Sequence, residues 1–268
     1  MTITAAQDRY VNPVGDGDGR LIVALPEPGL SMTQDAEWCV VRVDGRWRQI
    51  RFHDYKTIYR IPGLYEKVIY DILKCDSPCV VRQSLETELA ASGTSPVRLR
   101  VLDLGAGNGM MAEHLADMGV DLIVGADIIE EAADAAERDR PGLYENYHVV
   151  DMTVLTESQR RELAAYGFNA LTCVAALGFG DIPPLAFANA FNLIAPGGWI
   201  AFNIKEDFLS DHDPSGFAGL IRAMLDDGAL ELHRQRRYQH RLSTGGKPLY
   251  YKAMVGRKLH DVPEDMIP

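Results

Sequence analysis

From Val97 onward, short apolar runs alternate with segments in which apolar residues recur every third or fourth position. VRLRVLDL, DLIVGADI, YHVVD, NALTCVAAL and GGWIAFNI predict strands, and the stretches 108–118, 130–138, 157–166 and 185–194 between them predict helices. Met111, Leu115 and Met118 share one face of the first helix. Apolar strands separated by helices of about ten to fifteen residues specify a parallel sheet covered on both faces. A helix over 217–225 follows, and then the rhythm changes. ALELHRQRRYQHRL and KPLYYKAMVGRKL flank Ser243-Thr244-Gly245-Gly246, which predicts a closing antiparallel hairpin.

Upstream the pattern is different. The first thirty residues, with VGDGDGR and ALPEPG as turn signals, predict an irregular arm. EWCVVRV and RWRQIRF, joined by Asp44-Gly45, predict a β-hairpin, because Asp-Gly suits the left-handed turn that such a connection needs. Residues 55–73 turn helical, entered through Pro62-Gly63, with Tyr65, Val68, Ile69, Ile72 and Leu73 on one face. A short helix over 83–91 precedes Ser92-Gly93-Thr94-Ser95-Pro96. That loop is the expected boundary between an N-terminal part, 1–96, and the alternating part, 97–268.

Composition narrows the class. Of the 268 residues, 47% are apolar and 24% charged, ordinary values for a chain with a packed core. The formal net charge of −11 disfavours nucleic acid as a partner, since phosphate binding needs clustered Lys and Arg. Cys39, Cys75, Cys79 and Cys173 are few and irregularly spaced, so neither a disulfide framework nor a metal site is expected. The opening MTITAAQDRYVNP lacks the basic start and apolar stretch of a signal peptide, and no run approaches the ~18 apolar residues of a membrane span. The expectation is a cytoplasmic protein that does not enter a membrane.

The chemistry concentrates at Val101-Leu102-Asp103-Leu104-Gly105-Ala106-Gly107-Asn108-Gly109. Glycines where a buried strand turns into a helix let the backbone approach a ligand and present free N–H groups to it. Asp127 ends the next strand in GADII, where nucleotide-binding sheets place a carboxylate for a ribose diol. Asp151-Met152 closes the third strand at the same sheet edge, and Ala195-Pro196-Gly197-Gly198 breaks the chain before the fifth.

Together DLGAGNG, GADI, VVD, the APGG break and the closing hairpin resemble the class I S-adenosylmethionine-dependent methyltransferases, over about two thirds of the chain. The resemblance implies a Rossmann-like, doubly wound α/β fold. Its sheet would be mostly parallel and seven-stranded, ending in an antiparallel hairpin, with a lid as N-terminal extension. It implies S-adenosylmethionine as cofactor, with Gly105 and Gly107 against its methionine part and Asp103 nearby. Asp127 would hold the ribose hydroxyls, Ile128 would pack on the adenine, and Asp151 would bond the adenine edge with Met152 beside it. Ala175 and Ala176 would border the methionine end and the acceptor site. The nicotinamide fingerprint G-x-G-x-x-G fits less well, because the spacing here is G-x-G-x-G and Met110 stands where the third glycine would fall.

The expected activity is in-line methyl transfer to a small-molecule acceptor. The alternatives are a cofactor-binding protein without turnover and an NAD-dependent oxidoreductase. Proximity can supply much of such catalysis, so no dedicated base need be visible, and none is singled out. Asp181-Ile182-Pro183-Pro184 departs from the Asp/Asn-Pro-Pro-aromatic motif of amino-methylating relatives through Ile182 and Leu185, and reads as a Pro-initiated helix. His53 and His212 fit surface or hydrogen-bonded roles better than that of a base. Tyr55, Tyr59 and Tyr65 are candidate lid residues that would offer aromatic faces to a sulfonium, with core packing the competing role for Tyr65. Arg234, Arg236, Arg237 and Arg241 read as a solvated strand face, with contact to an acidic substrate as the alternative.

Overall fold

The computed structural model describes residues 14–15, 21–27, 32–210 and 212–268. They form two compact units: one runs up to Asp76 and includes Gln239–Leu249, and the other comprises Ser77–Tyr238 and Tyr250–Pro268. Among them no helix is long and apolar enough to cross a membrane.

The first unit is built on a four-stranded antiparallel sheet, β1 (Val14–Gly15), β2 (Ile22–Ala24), β3 (Trp38–Val43) and β4 (Arg46–Arg51), paired in that order. The Asp44-Gly45 hairpin forms as expected, with both residues at positive φ (51° and 74°) and Val43 opposite Arg46. The irregular arm is corrected at residues 14–15 and 22–24, which pair with each other, the latter also with β3; its parts at 1–13, 16–20 and 28–30 lie outside the described residues. The single helix expected over 55–73 is also corrected. Helix α1 (Tyr55–Arg60) stops before Pro62, which lacks an N–H, and Gly63 turns the chain at φ +73°. A π-helical segment, Glu66–Ile72, follows, and Leu73 N–H bonds the Val68 carbonyl five residues back. Leu64, Val68, Ile69 and Leu73 join Val23, Val41, Ile50 and Phe52 in the core of this unit.

The hairpin tip adds a buried ion pair to the first unit. Arg241 Nη2 lies 2.6 Å from Glu37 Oε2, and Thr244 N–H and Oγ1–H donate to Glu37 Oε1 at 2.6 and 3.1 Å. Arg241 therefore does not belong to a solvated face. Its neighbours are engaged within the second unit: Arg234 with Glu88 (2.7 Å), Arg236 with Gln83 (3.2 Å) and Arg237 with Glu206 (2.9 Å) and the Tyr250 ring.

The second unit carries a seven-stranded sheet formed by β5 (Arg100–Leu104), β6 (Leu122–Asp127), β7 (Asn146–Val149), β8 (Ala170–Cys173), β9 (Trp199–Lys205), β10 (Leu230–Leu242) and β11 (Pro248–Lys258). Its order is β10-β11-β9-β8-β5-β6-β7, parallel from β7 to β9 and antiparallel where β11 meets β9. This is the mostly parallel α/β sheet with a closing hairpin that the pattern specified. Residues 101–104 of β5 are all buried because both faces are covered. Leu102 and Leu104 join a core with Phe187, Phe191 and Phe202, while Val101 packs with Val81, Leu85, Leu115 and Trp199.

Helix α2 (Ser77–Ser92) starts six residues earlier than the expected 83–91, with Pro78 in its first turn. Val80, Val81, Leu85 and Leu89 bury it in the second unit, so the units divide between Asp76 and Ser77 rather than after residue 96. Helices α3 (Met110–Asp117), α4 (Glu130–Asp139), α5 (Glu157–Ala165), α6 (Pro184–Asn192) and α7 (Phe217–Asp226) complete the alternation. Helix α6 begins at Pro184, the Pro-initiated start expected for Asp181-Ile182-Pro183-Pro184.

Candidate active site

The chain runs β5, β6, β7 outward on one side and then crosses back to β8 on the other side of β5. Ligands of open α/β sheets bind at this reversal, beyond the carboxyl ends of the strands. The turn after β5 and the loop after β8 meet there. A Cβ on Gly105 would fall 2.7 Å from Ile182 Cδ1 and 2.8 Å from Ala176 Cβ, and the residue sits at φ +67°. Only glycine fits such a position without a shift. Gly107 and Gly109 also have positive φ, 54° and 88°, and α3 starts immediately after.

Asp127, at the end of β6, accepts hydrogen bonds from Gly107 N–H (3.0 Å) and Ile129 N–H (3.2 Å). Those bonds hold its carboxylate beside the turn, while burial raises its pKa. Ile128 next to it is 59% exposed, an apolar side chain presented at the sheet edge. Asp151 accepts from Thr153 N–H (2.8 Å) and Oγ1–H (2.6 Å), and these bonds lower its pKa. Met152 is placed differently: its side chain belongs to the core and its carbonyl accepts from Asn189 (2.7 Å).

Asp103 lies beneath the turn, 1% exposed. Thr172, its cross-strand neighbour on β8, donates to Oδ1 at 2.6 Å, and the Tyr144 hydroxyl donates to Oδ2 at 2.9 Å. Burial outweighs these bonds and pushes the carboxyl up to about 6. Tyr147 donates its hydroxyl to the Gly107 carbonyl at 2.8 Å, and the two tyrosine rings meet edge to face at 5.2 Å. Both phenols reach the turn across Gly125, where a Cβ would lie 2.8 Å from Tyr147 Cδ2 and 3.1 Å from Tyr144 Cε1. Neither tyrosine was singled out from the sequence. The available signal was Gly125 itself, since a glycine inside a strand marks a close approach.

Ala175, two residues beyond β8, sits at φ +59°, a left-handed conformation that costs a residue bearing a Cβ about 1–2 kcal/mol. Its N–H donates to Asn203 Oδ1 at 2.6 Å. Beyond it the loop is glycine-rich: Gly178 and Gly180 take positive φ, and Phe179 packs edge to face on Phe208 at 4.7 Å.

Of the other sequence candidates, the tyrosines and His53 lie in the first unit and His212 in the second. Tyr59 is buried between Tyr55 (centroids 6.0 Å apart) and Tyr65 (5.1 Å), and Tyr65 also meets Tyr70 at 6.0 Å. Burial raises the Tyr65 phenol well above its ordinary value, as the core-packing role implies. His53 packs edge to face on Tyr55 at 5.6 Å, and His212 is exposed. Among the described residues no group of His, Cys, Asp and Glu side chains is placed to hold a metal ion.

A bound S-adenosylmethionine would suit these acceptors. Three carboxylates (Asp103, Asp127 and Asp151) complement a cation, a diol and an amine, and the exposed Ile128 offers an apolar platform beside them. A family model described as a methyltransferase domain matches residues 80–245, more than half of the chain. The chain belongs to this family, and its sheet is that of the class I S-adenosylmethionine-dependent methyltransferases.

It is 32% identical over 104 residues to a ubiquinone biosynthesis O-methyltransferase of Thiobacillus denitrificans, a match covering 39% of this chain and 43% of that protein. A protein of the same description from Coxiella burnetii is 32% identical over 105 residues, covering 38% and 42%. The chain thus spans about two fifths of the length of the curated relatives it matches. Among solved structures it is similar to the magnesium protoporphyrin IX methyltransferase of Synechocystis PCC 6803, determined with bound SAM. That likeness has 18% identity and a TM-score of 0.49, and covers 76% of this chain and 97% of that one.

Proposed function

We propose that the protein is an S-adenosylmethionine-dependent methyltransferase that acts on a small-molecule acceptor by direct in-line transfer. The observation that carries this reading is the glycine turn at the sheet reversal, with the Asp127 carboxylate bonded to its Gly107 amide. The cofactor supplies a methyl group on a sulfonium, already joined to a good leaving group. The chain's own residues bind and orient. Gly105 and Gly107 allow close approach at the methionine end, and Asp103 supplies negative charge from below the turn. Asp127 exchanges amide donors for ribose hydroxyls, Ile128 covers one adenine face and Asp151 accepts from the adenine amine. Ala175 and Ala176 border the methyl-bearing end.

The description of the curated relatives as O-methyltransferases favours an oxygen acceptor. The lid role of Tyr55, Tyr59 and Tyr65 belongs to the same proposal, as does a cytoplasmic location.

The test is calorimetry with S-adenosylmethionine, S-adenosylhomocysteine and NAD, followed by turnover on a panel of hydroxylated acceptors. Both sulfur ligands should bind, and NAD should not. Preferential binding of NAD would instead support an oxidoreductase, and binding without turnover a non-catalytic binder. S-adenosylhomocysteine should also slow hydrogen exchange over 53–73; unchanged exchange would remove the lid. Asp127→Ala should weaken cofactor binding by about 1–3 kcal/mol, the cost of leaving buried polar partners unsatisfied. Unchanged affinity in the folded variant would remove Asp127 from the ribose site.

A further inference from the structure

We propose that Asn203 is a positioning residue for the methionine end of the cofactor: with Tyr238 and Ser77 it clamps the backbone at Ala175 and so sets the loop after β8 against the glycine turn. The inference rests on the methyltransferase reading and adds three residues that lie outside the cofactor motifs.

Asn203 is the lone amide side chain in WIAFNIK, a strand buried at all but its last residue. A polar group in such a strand is costly unless its hydrogen bonds are made. All are made here. Oδ1 accepts from Ala175 N–H at 2.6 Å, and Nδ2 donates to Tyr238 Oη at 2.6 Å and to Ser77 Oγ at 3.0 Å. The two hydroxyls lie 2.7 Å apart and close the network. The amide has one orientation, because Ala175 N–H can only donate and so must face the carbonyl oxygen.

The three side chains come from β9, β10 and the first residue of α2, and all are buried. Buried as they are, their effect on the site passes through the hydrogen bond to Ala175. That residue is held at φ +59°, and the next one, Ala176, stands where it excludes a Cβ from Gly105. Two residues, Ala175 and Ala176, thus connect Asn203 to the turn expected to cradle the methionine moiety. Tyr238 and Ser77 fix the amide, the amide fixes residue 175, and residue 175 fixes the contact with Gly105.

The experiment compares the native protein with Asn203→Ala, Ala175→Gly and the double variant. Hydrogen exchange at the Ala175 amide is read without ligand, S-adenosylhomocysteine affinity by calorimetry, and melting temperature separately. Asn203→Ala should remove protection at residue 175 and weaken S-adenosylhomocysteine about tenfold, the scale of one lost buried hydrogen bond. Glycine adopts positive φ without an anchor, so the double variant should regain most of that affinity with no rise in melting temperature. A folded Asn203→Ala with native affinity would overturn the proposal. So would an unchanged Ala175 exchange rate, or recovery that only follows the melting temperature. Failure of the native protein to bind S-adenosylhomocysteine would overturn the methyltransferase reading and this role with it. That outcome is recognised before any substitution is made.

Discussion

Arg241→Met should lower the unfolding free energy of the first unit by about 3–5 kcal/mol, the usual consequence of removing one partner from a buried ion pair. Glu37 is 1% exposed, and its carboxylate has the Arg241 guanidinium on one oxygen and the Thr244 hydroxyl and amide on the other. Methionine fills similar space along the side-chain stem but leaves the negative charge buried without its counter-ion. The loss therefore comes mainly from the stranded charge. Glu37→Gln in the same background should recover much of the stability, since the glutamine carbonyl still accepts from Thr244 and no charge is left. Urea unfolding of the native, single and double variants measures both effects. A loss below about 1 kcal/mol for Arg241→Met is the range of an exposed pair and would show that water reaches Glu37.

Features set by neighbours in sequence were legible before the structure. Asp44-Gly45 announces its hairpin because the turn's backbone requirement is local. The alternation after Val97 specifies the parallel sheet because its central strands, β5, β8 and β9, must be apolar on both faces. DLGAGNG and GADII place Gly105, Gly107 and Asp127 together because the turn and the strand end are adjacent in any such sheet.

What escaped is held by long-range partners. Tyr144 and Tyr147 meet Asp103 and Gly107 some forty residues away, and nothing in their own surroundings marks them. Asn203 looks like a polar interruption of a strand until Ser77 and Tyr238 are placed around it. The arginines of β10 share a pattern, yet Arg241 is buried while Arg237 lies in the open, because their partners differ. At residues 66–72 the apolar spacing fits an α-helix, but the backbone closes five-residue bonds instead. Asp103 was legible as a residue of the turn but not as a buried one: its hydroxyl partners come from β8 and from the segment between α4 and β7.

That burial makes Asp103→Asn the sharpest test of how stability and binding oppose each other here. Desolvation holds the folded carboxyl at about 6, above the ordinary value of 3.8. Between those two pH values the native state keeps a proton that the unfolded chain has released. This group's contribution to stability therefore falls as pH rises from 4 through 6, and above 6 its ionisation costs about 3 kcal/mol. Asparagine keeps the shape and removes the charge, and the hydroxyls of Thr172 and Tyr144 can rotate to meet its amide. The variant should gain stability over the native protein above pH 6 by up to that amount, and the gain should vanish towards pH 4. Binding should move the other way. S-adenosylmethionine carries a positive sulfonium that S-adenosylhomocysteine lacks, so losing the buried negative charge should weaken the first ligand more than the second. In the native protein the preference for S-adenosylmethionine should fade as pH drops through 6. Urea unfolding and calorimetry of both proteins from pH 4 to 8 measure the two trends. A variant less stable than the native protein at pH 8 would mean that the carboxylate is stabilised by its hydroxyl partners more than burial penalises it.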